Sequence, residues 1–202
     1  MLRAAEHVFG TARSTDYVYF YVGTFIGGGI VIDGNLVVGR NGNAGALGSM
    51  PVPRPAGPDG APAGHRQLIH SASIHLLEQE MRAAGMNPRD LWNDDGQWPE
   101  LGPLLDRWLE TAAFGLAHAI VSAMSVYDFE CAVIDGSIPL EVRDRLVAAT
   151  QAKLAEIRRE GLSPIRVQPG TIGASAREIG AASLPFFAKF LLDHRVLFTE
   201  RG

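Results

Sequence analysis

With 202 residues, of which 47% are hydrophobic and 20% charged, the chain is long and apolar enough for one globular domain, which argues against intrinsic disorder. Its formal net charge is −4 and no run of Lys or Arg lies along one predicted helix face, so nucleic-acid binding by this chain alone is excluded. The sequence has no apolar stretch of signal-peptide or membrane-spanning length, and we expect a cytoplasmic protein without a membrane partner.

The first half of the chain opens with predicted strands. The segments "YVYFYV", Tyr17 to Val22, and "GGIVID", Gly28 to Asp33, are rich in aromatic and β-branched residues, which suit a pleated sheet. Because Asp, Gly and Asn tolerate positive φ, "IVIDGNLVV" predicts a tight hairpin. The Pro- and Gly-rich residues 51–65 predict an exposed loop that is neither helix nor interior strand.

Helical spacing of apolar residues begins at Arg66. The first helix runs from there, and Gly85 is its expected C-cap. A longer helix begins near Pro99, and its apolar stripe is wide enough to lie at the centre of the core. The stripe consists of Leu101, Leu104, Leu105, Trp108, Ala112, Leu116, Ile120 and Met124.

The last third of the chain alternates strands and helices. The strand "FECAVIDG" contains the single cysteine, Cys131, which we expect to be a small buried hydrophobe. A helix begins at Ser137 and Pro139 and runs to Gly161. The strand "PIRVQPG" follows, and then a closing helix, "GASAREIGAASLPFFAKFLLDH", which Pro185 kinks or divides.

The order of these elements predicts a single α/β domain over residues 1–202, in which a strand meander and then alternating helices and strands form a mixed sheet. The segment "GTFIGGGIVIDGNLVVGRNGNAGALGSMPV" closely resembles the hallmark segment of the ROK family of bacterial sugar kinases and sugar-responsive transcriptional regulators. "VIDGSIP" resembles the family's strand with a glycine-rich end, and "PGTIGASAREIGAASL" resembles its closing helix. The resemblance implies a ribonuclease-H-like, actin-type ATPase fold, of which this chain is expected to be the C-terminal lobe.

The resemblance also implies which parts of a family kinase are missing. The first phosphate motif and the aspartate that accepts the proton of the sugar hydroxyl belong to an N-terminal lobe, which we expect to be absent from this chain. Phosphoryl transfer depends on positioning, metal and charge neutralisation, so a chain without that base and that loop is not expected to catalyse it. We therefore assign no catalytic residue, and expect ATP and Mg²⁺ as cofactors only if the missing lobe is present.

The sugar-binding edge of the family falls on Asn43, Ala46 and Ser49, which are the candidate substrate-binding residues. Ala46 stands where the family has a glutamate that binds sugar hydroxyls, and Ser49 where it has a zinc-binding histidine. Because a methyl group accepts no hydrogen bond, we expect weakened sugar affinity here. A second family glutamate aligns near Ile69, and the three zinc-binding cysteines fall on the Pro- and Gly-rich loop, so no zinc is expected.

The glycine framework of the family is retained on its nucleotide-phosphate side. The candidate cofactor-binding residues there are Gly23, Thr24, Gly27, Gly28, Gly136 and Gly173. Phe25 stands where family kinases usually have glycine, and a bulky ring argues against tight ATP binding because backbone must approach phosphate closely. From the sequence, an alternative stays open, in which these glycines serve only strand packing and hairpin geometry.

Three histidines also suggest a metal site. His65, His70 and His75 are spaced by five residues, whereas two imidazoles on one helix face need a spacing of three or four. Solvent-facing or packed histidines are therefore the favoured interpretation, and no metal ligand is assigned.

Three functions compete on these grounds. The favoured one is a non-catalytic ROK-type lobe, either the sugar-sensing and oligomerisation part of a transcriptional regulator or a degenerate relative of the kinases. The alternative is the C-terminal half of an ATP-dependent, glucokinase-like hexose phosphotransferase, and a third is a structural dimerisation module. A homo-oligomer is expected under all three, because half of a two-lobed fold leaves apolar surface that needs cover. A sugar is the expected ligand under the first two.

Overall fold

The computed structural model describes residues 14–56, 62–93, 98–171 and 173. The strands in this part of the chain are β1 (Tyr17–Val22), β2 (Gly27–Ile32), β3 (Asn35–Leu36), β4 (Pro51–Arg54), β5 (Gly64–Gln67), β6 (Cys131–Gly136) and β7 (Arg166–Pro169). The main sheet has the order β3-β2-β1-β6-β7, and β4 and β5 form a second, two-stranded sheet. β1 pairs antiparallel with β2 and parallel with β6, which confirms the predicted mixed sheet.

The helices of the described residues are α1 (Ile69–Ala72), α2 (Ile74–Ala83), α3 (Pro103–Met124) and α4 (Leu140–Glu156). Within that part of the chain, no helix combines the length and the apolar character that crossing a bilayer requires.

The central strand β1 is buried along its whole length because both of its faces are apolar. Val18, Phe20 and Val22 pack into the main core together with α3. The tyrosines of β1 alternate with them and lie on the opposite face, beside Cys131 and Val133 of β6. Cys131 is fully buried, as expected from its apolar neighbours in the sequence.

The apolar stripe predicted for α3 lies in the core, except that Leu104 is only partly buried. The helix begins at Pro103 rather than near Pro99, because Gly102 has a φ of 47° and breaks the helical path. Residues Trp98–Leu101 form a separate 3₁₀ turn. There the indole of Trp98 packs edge-on against that of Trp108, with the ring centroids 6.3 Å apart.

The helix predicted from Arg66 to Gly85 is divided in the structure. Arg66 belongs to β5, and Ser73, with φ −83° and ψ 143°, separates α1 from α2. The C-cap is Ala84, one residue before the predicted Gly85, which follows it with a left-handed φ of 75° and ends the helical segment.

The prediction of an exposed loop over residues 51–65 was wrong at both ends of that range. Its first residues form β4, which pairs with β5 at the other end, and Val52 is fully buried. Pro51 and Pro53 alternate with Val52 and Arg54 along β4, so only the latter two have amides to donate to a ladder. An edge strand tolerates proline at the positions that face away from its partner.

Two predictions concern the end of the chain. The helix expected to run from Pro139 to Gly161 ends at Glu156, because Ile157 is extended, with φ −85° and ψ 132°. The predicted closing helix and its division at Pro185 lie outside the described residues.

Polar side chains tie the start of β1 to the turn after α3. Tyr127 donates its hydroxyl hydrogen to Asp16 Oδ1 at 2.6 Å, and Thr15 Oγ1 donates to Asp16 Oδ2 at 2.7 Å. Glu130 Oε1 accepts from the hydroxyl and the amide of Thr15, both at 3.0 Å. The bond from Tyr127 lowers the pKa of Asp16, the bonds from Thr15 lower the pKa of Glu130, and the bond to Asp16 raises the pKa of Tyr127 to about 12.

Candidate functional site

The parallel strands β1, β6 and β7 end at one edge of the main sheet, where glycine-rich segments follow each of them. The amide of Ser137, after β6, donates to Val22 O at 2.9 Å, and the amide of Gly170, after β7, donates to Ile134 O at 2.8 Å. The fold therefore gathers the predicted Gly23, Thr24, Gly136 and Gly173 around this edge, which is where α/β sheets bind ligands. Gly27 and Gly28 begin the neighbouring strand β2.

Two of these glycines have a packing role that does not depend on a ligand. A Cβ on Gly136 would lie 2.2 Å from Val22 O, and one on Gly28 would lie 2.3 Å from Tyr19 O. Neither position accepts a side chain without moving β1. Gly27 differs, because a Cβ there meets nothing within 4 Å. The packing alternative thus accounts for Gly28 and Gly136, and leaves Gly27 without a steric reason.

The carboxylate of Asp135, which the sequence analysis missed, lies at the centre of this edge. The residue is fully buried, and its Oδ1 accepts from the amides of Gly136 at 2.8 Å and Gly173 at 3.1 Å. Its Oδ2 accepts from Tyr19 Oη at 3.3 Å. A Cβ on Gly170 would lie 2.5 Å from the same Oδ2. Two amides predicted to face phosphate are therefore bonded to a carboxylate of the chain itself.

The only sequence signal for Asp135 was an acidic residue inside an otherwise apolar strand. Its partners after β7 lie more than thirty positions along the chain, with Gly173 separated from it by 38 residues. That pairing needs the folded sheet, so the sequence pattern alone gave no reason to single the residue out.

The segment Gly23–Phe25 docks on the first turn of α2. The amides of Ile74 and His75 donate to Gly23 O at 3.0 Å and to Thr24 O at 3.1 Å. The first amides of this helix, which otherwise attract anions, are thus satisfied by carbonyls of the glycine segment.

Ser73 fixes this docking and was also missed. Its Oγ accepts from the amide of Ile26 at 3.1 Å and donates to Ile69 O at 2.7 Å. Its carbonyl accepts from Trp108 Nε1 at 3.0 Å, so one buried serine joins the glycine segment, α1 and α3.

Phe25, the last residue of the segment Gly23–Phe25, presents an apolar ring to solvent. The residue is 59% exposed, and its ring lies against the His75 imidazole with the centroids 5.5 Å apart. The other side of that imidazole is engaged as well, since Nε2 lies 3.0 Å from Gln79 Nε2 and Nδ1 lies 3.7 Å from Glu78 Oε2. His75 is therefore packed among its neighbours in α2.

The predicted sugar edge lies across the glycines of β2. A Cβ on Gly45 would lie 2.8 Å from Gly29 Cα, and one on Gly48 would lie 2.5 Å from Ile26 O. These close approaches place the 3₁₀ turn Leu47–Ser49 directly over the strand. Asn43, Ala46 and Ser49 are all exposed along this segment, whereas Ile69 is partly buried against the main core.

The described residues contain no cluster of side chains that could bind a metal ion. Within residues 14–56, 62–93, 98–171 and 173, no three His, Cys, Asp or Glu side chains gather closely enough to hold an ion. Cys131 is buried within the main sheet, and the predicted histidines are divided between β5 and the two short helices after it. The described residues do not fit the family's zinc site.

The comparisons with known proteins agree on one family. The sequence model of the ROK family matches residues 1–186. The chain is 32% identical, over 184 residues, to the bifunctional enzyme NanE/NanK of Brucella melitensis, an alignment that covers 89% of this chain and 32% of that enzyme. The chain spans less than half the length of several curated relatives to which it is 30–32% identical.

Two solved structures share its fold. A ROK family glucokinase from Streptomyces griseus, solved in complex with glucose and AMPPNP, superposes with a TM-score of 0.65 at 20% identity, over 90% of this chain and 64% of that one. A ROK family transcriptional regulator, described as a homologue of the Escherichia coli MLC protein, superposes with a TM-score of 0.61 at 22% identity, over 89% of this chain and 48% of that one. The predicted ribonuclease-H-like, actin-type ATPase fold is thereby confirmed.

Proposed function

Since the chain belongs to the ROK family, we propose that it is a non-catalytic lobe with a sugar-responsive role, as the sensing and oligomerising part of a regulator or as a degenerate relative of the kinases. The fold alone does not separate these possibilities from catalysis, because a glucokinase and a regulator both share it. The proposal therefore depends on the chemistry of the glycine edge, which is the end of β1, β6 and β7 together with the glycine-rich segments that follow these strands.

The observation that carries it is the Asp135 carboxylate. It accepts hydrogen bonds from the amides of Gly136 and Gly173, two donors that a nucleotide phosphate would otherwise use. A buried carboxylate at that point also repels a phosphate electrostatically, unless a cation lies between them. The exposed ring of Phe25 adds a bulky side chain where a phosphate would need close backbone contact.

The test is to supply the chain with ATP, Mg²⁺ and either glucose or N-acetylmannosamine, and to follow ADP formation with a coupled assay. We expect no sugar-dependent ADP, and no heat of AMPPNP binding at ligand concentrations up to about 1 mM. ADP formation that requires sugar, and that remains after further purification of the chain, would contradict the proposal.

A gain-of-function variant tests the sugar edge. Ala46→Glu supplies a carboxylate that accepts hydrogen bonds from a sugar diol, and we expect it to tighten sugar binding about tenfold in calorimetry. The matched control is Ala152→Glu, which adds the same charge at an exposed position of α4. Equal affinities for the two variants would mean that Ala46 is not at a sugar edge.

A sugar kinase is the second candidate, and it rests on the 32% identity to the bifunctional enzyme NanE/NanK. Under this alternative, a longer protein that contains this chain phosphorylates a hexose or a hexosamine, with Gly27 as an unhindered approach for phosphate. The discriminating measurement is the same coupled assay on the longest natural product of the gene, because a regulator forms no ADP there and a kinase does. Sedimentation of the same product with and without sugar tests the proposed oligomerisation.

A further inference from the structure

A cleft of about 380 Å³ lies between β5 and the helices α1, α2 and α3, away from the glycine edge. Its polar lining consists of Arg66, His70, Ser71, Gln79, Glu80 and Thr111. None of its lining residues belongs to the segment Gly23–Phe25 or to the predicted sugar edge. The volume falls within the range of small-molecule sites, about 300–1,000 Å³.

Three buried polar atoms in this cleft have no hydrogen-bond partner in the part of the chain that the structure describes. They are Arg66 Nε, Ser71 Oγ and Glu80 Oε2. Buried polar atoms are nearly always hydrogen-bonded, so each exception needs an explanation. Glu80 Oε2 forms an ion pair with Arg107 Nη2 at 3.5 Å. Arg66 Nε and Ser71 Oγ, from two different elements that line the cleft, are therefore the atoms that indicate a ligand.

Ser71 is the strongest of the three observations. The residue is fully buried in α1, and a Cβ on Gly115 of α3 would lie 3.2 Å from its Oγ. A helical serine can donate to the carbonyl four residues earlier, as Ser125 does to Val121 O at 2.9 Å. Ser71 Oγ has no hydrogen-bond partner among the described residues, although the residue is fully buried.

The charges of the cleft favour an anion near Arg66. Burial lowers the pKa of this guanidinium, and the neighbouring charge of Arg54 lowers it further. No carboxylate among the described residues forms an ion pair with Arg66, whereas Glu80 Oε2 already lies 3.5 Å from Arg107 Nη2. An anionic group against Arg66 would balance the unpaired charge, and Glu80 would then accept hydrogen bonds from hydroxyls.

We propose that this cleft binds a small hydroxylated carboxylate of the sugar-acid class. Its carboxylate lies against Arg66, and its hydroxyls lie against Ser71 Oγ and Glu80 Oε2. Gln79 and Thr111, which line the same cleft, supply further donors and acceptors. This site is separate from the glycine edge and does not depend on the function proposed above.

The experiment is isothermal titration calorimetry of the full chain with D-gluconate as the probe. We expect saturable binding with a Kd of about 1 mM or tighter. Arg66→Gln and Ser71→Ala should each weaken it about tenfold, since each removes a hydrogen bond to a charged or buried partner. The controls are Arg89→Gln and Ser122→Ala, which make the same changes at exposed positions outside the cleft and should retain the affinity.

Two other ligands test the chemistry. Glucose has the hydroxyls without the carboxylate, and acetate has the carboxylate without the hydroxyls, so both should bind at least about tenfold more weakly than gluconate. If glucose bound as tightly as gluconate, the placement of a carboxylate against Arg66 would be wrong. If acetate bound as tightly as gluconate, the proposed hydroxyl contacts would be wrong. Failure of gluconate to bind the unaltered chain would overturn the proposal as a whole.

Thermal unfolding shows whether a variant loses binding because it is no longer folded. Because Ser71 Oγ lacks a partner among the described residues, Ser71→Ala should keep or raise the Tm of the free chain, and it should abolish the rise in Tm that gluconate causes. A lowered Tm without ligand would show that the hydroxyl has a structural partner, which would overturn its assignment to the ligand.

Discussion

The amide of Gly173 lies 3.1 Å from both carboxylate oxygens of Asp135, although the two residues are 38 positions apart in the chain. This contact joins the segment after β7 to the end of β6. Asp135 thereby holds two of the glycine-rich segments of this edge together.

Asp135→Asn should therefore lower the free energy of unfolding by about 1–3 kcal/mol, because an amide NH₂ replaces one acceptor oxygen and opposes a backbone donor. Chemical denaturation monitored by tryptophan fluorescence measures this. Asp128→Asn is the matched control at an exposed position and should stay within about 0.5 kcal/mol. A neutral Asp135→Asn would mean that the carboxylate does not hold this edge together.

The adjacent glycines Gly27 and Gly28 should respond differently to alanine. Gly28→Ala brings a Cβ to 2.3 Å from Tyr19 O, so we expect a loss of about 1–3 kcal/mol or more. Gly27→Ala meets nothing within 4 Å and should be nearly neutral in stability. The same denaturation experiment decides, and similar losses for both variants would contradict the packing role assigned to Gly28 alone.

The buried serines Ser71 and Ser73 should also differ in how much stability is lost when each is replaced by alanine. Ser73→Ala leaves the amide of Ile26 without its acceptor, and should lower the free energy of unfolding by about 1–3 kcal/mol. Ser71→Ala removes a hydroxyl that has no partner among the described residues, and should cost nothing. Urea midpoints of the two variants, compared with the parent chain, test the pair, and the reverse order would refute the assigned roles.

The Tyr127–Asp16 bond predicts two pH effects. The pKa of Asp16 is lowered in the folded chain, so its contribution to stability is present above its ordinary pKa of 3.8 and is lost as the pH falls through the lowered value. The pKa of Tyr127 is raised to about 12, so the contribution of the neutral phenol is present below its ordinary pKa of 10.0 and is lost as the pH rises through about 12. Tyr127→Phe should reduce the acid dependence of the urea midpoint, and an unchanged dependence would show that the bond does not form in solution.

Local chemistry made several elements predictable from the sequence. The turn between β2 and β3 followed from residues that accept positive φ, and Asp33 and Gly34 indeed have φ values of 50° and 68°. The strand β1 followed from its run of aromatic and β-branched residues. The glycine segments carried the resemblance to the family that the sequence model confirms.

Contacts between distant segments account for the misses. Pro51 and Pro53 predicted a loop, but pairing with β5 makes their segment a strand. The break at Ser73 is held by the amide of Ile26, which is 47 residues away. Arg66 was assigned to a helix because the apolar residues that follow it have helical spacing. That spacing carries no information on the pairing of Arg66 with Val52 of β4.

Cys131 offers a way to follow the opening of the sheet at a single position. It is the chain's only cysteine, it is fully buried in β6 beside β1, and burial raises the pKa of its thiol. The thiolate is the form that attacks an alkylating reagent, so modification in native buffer has to wait until β6 separates from its neighbours. The rate at which one label enters the protein therefore measures how often the central sheet opens, without any engineered probe.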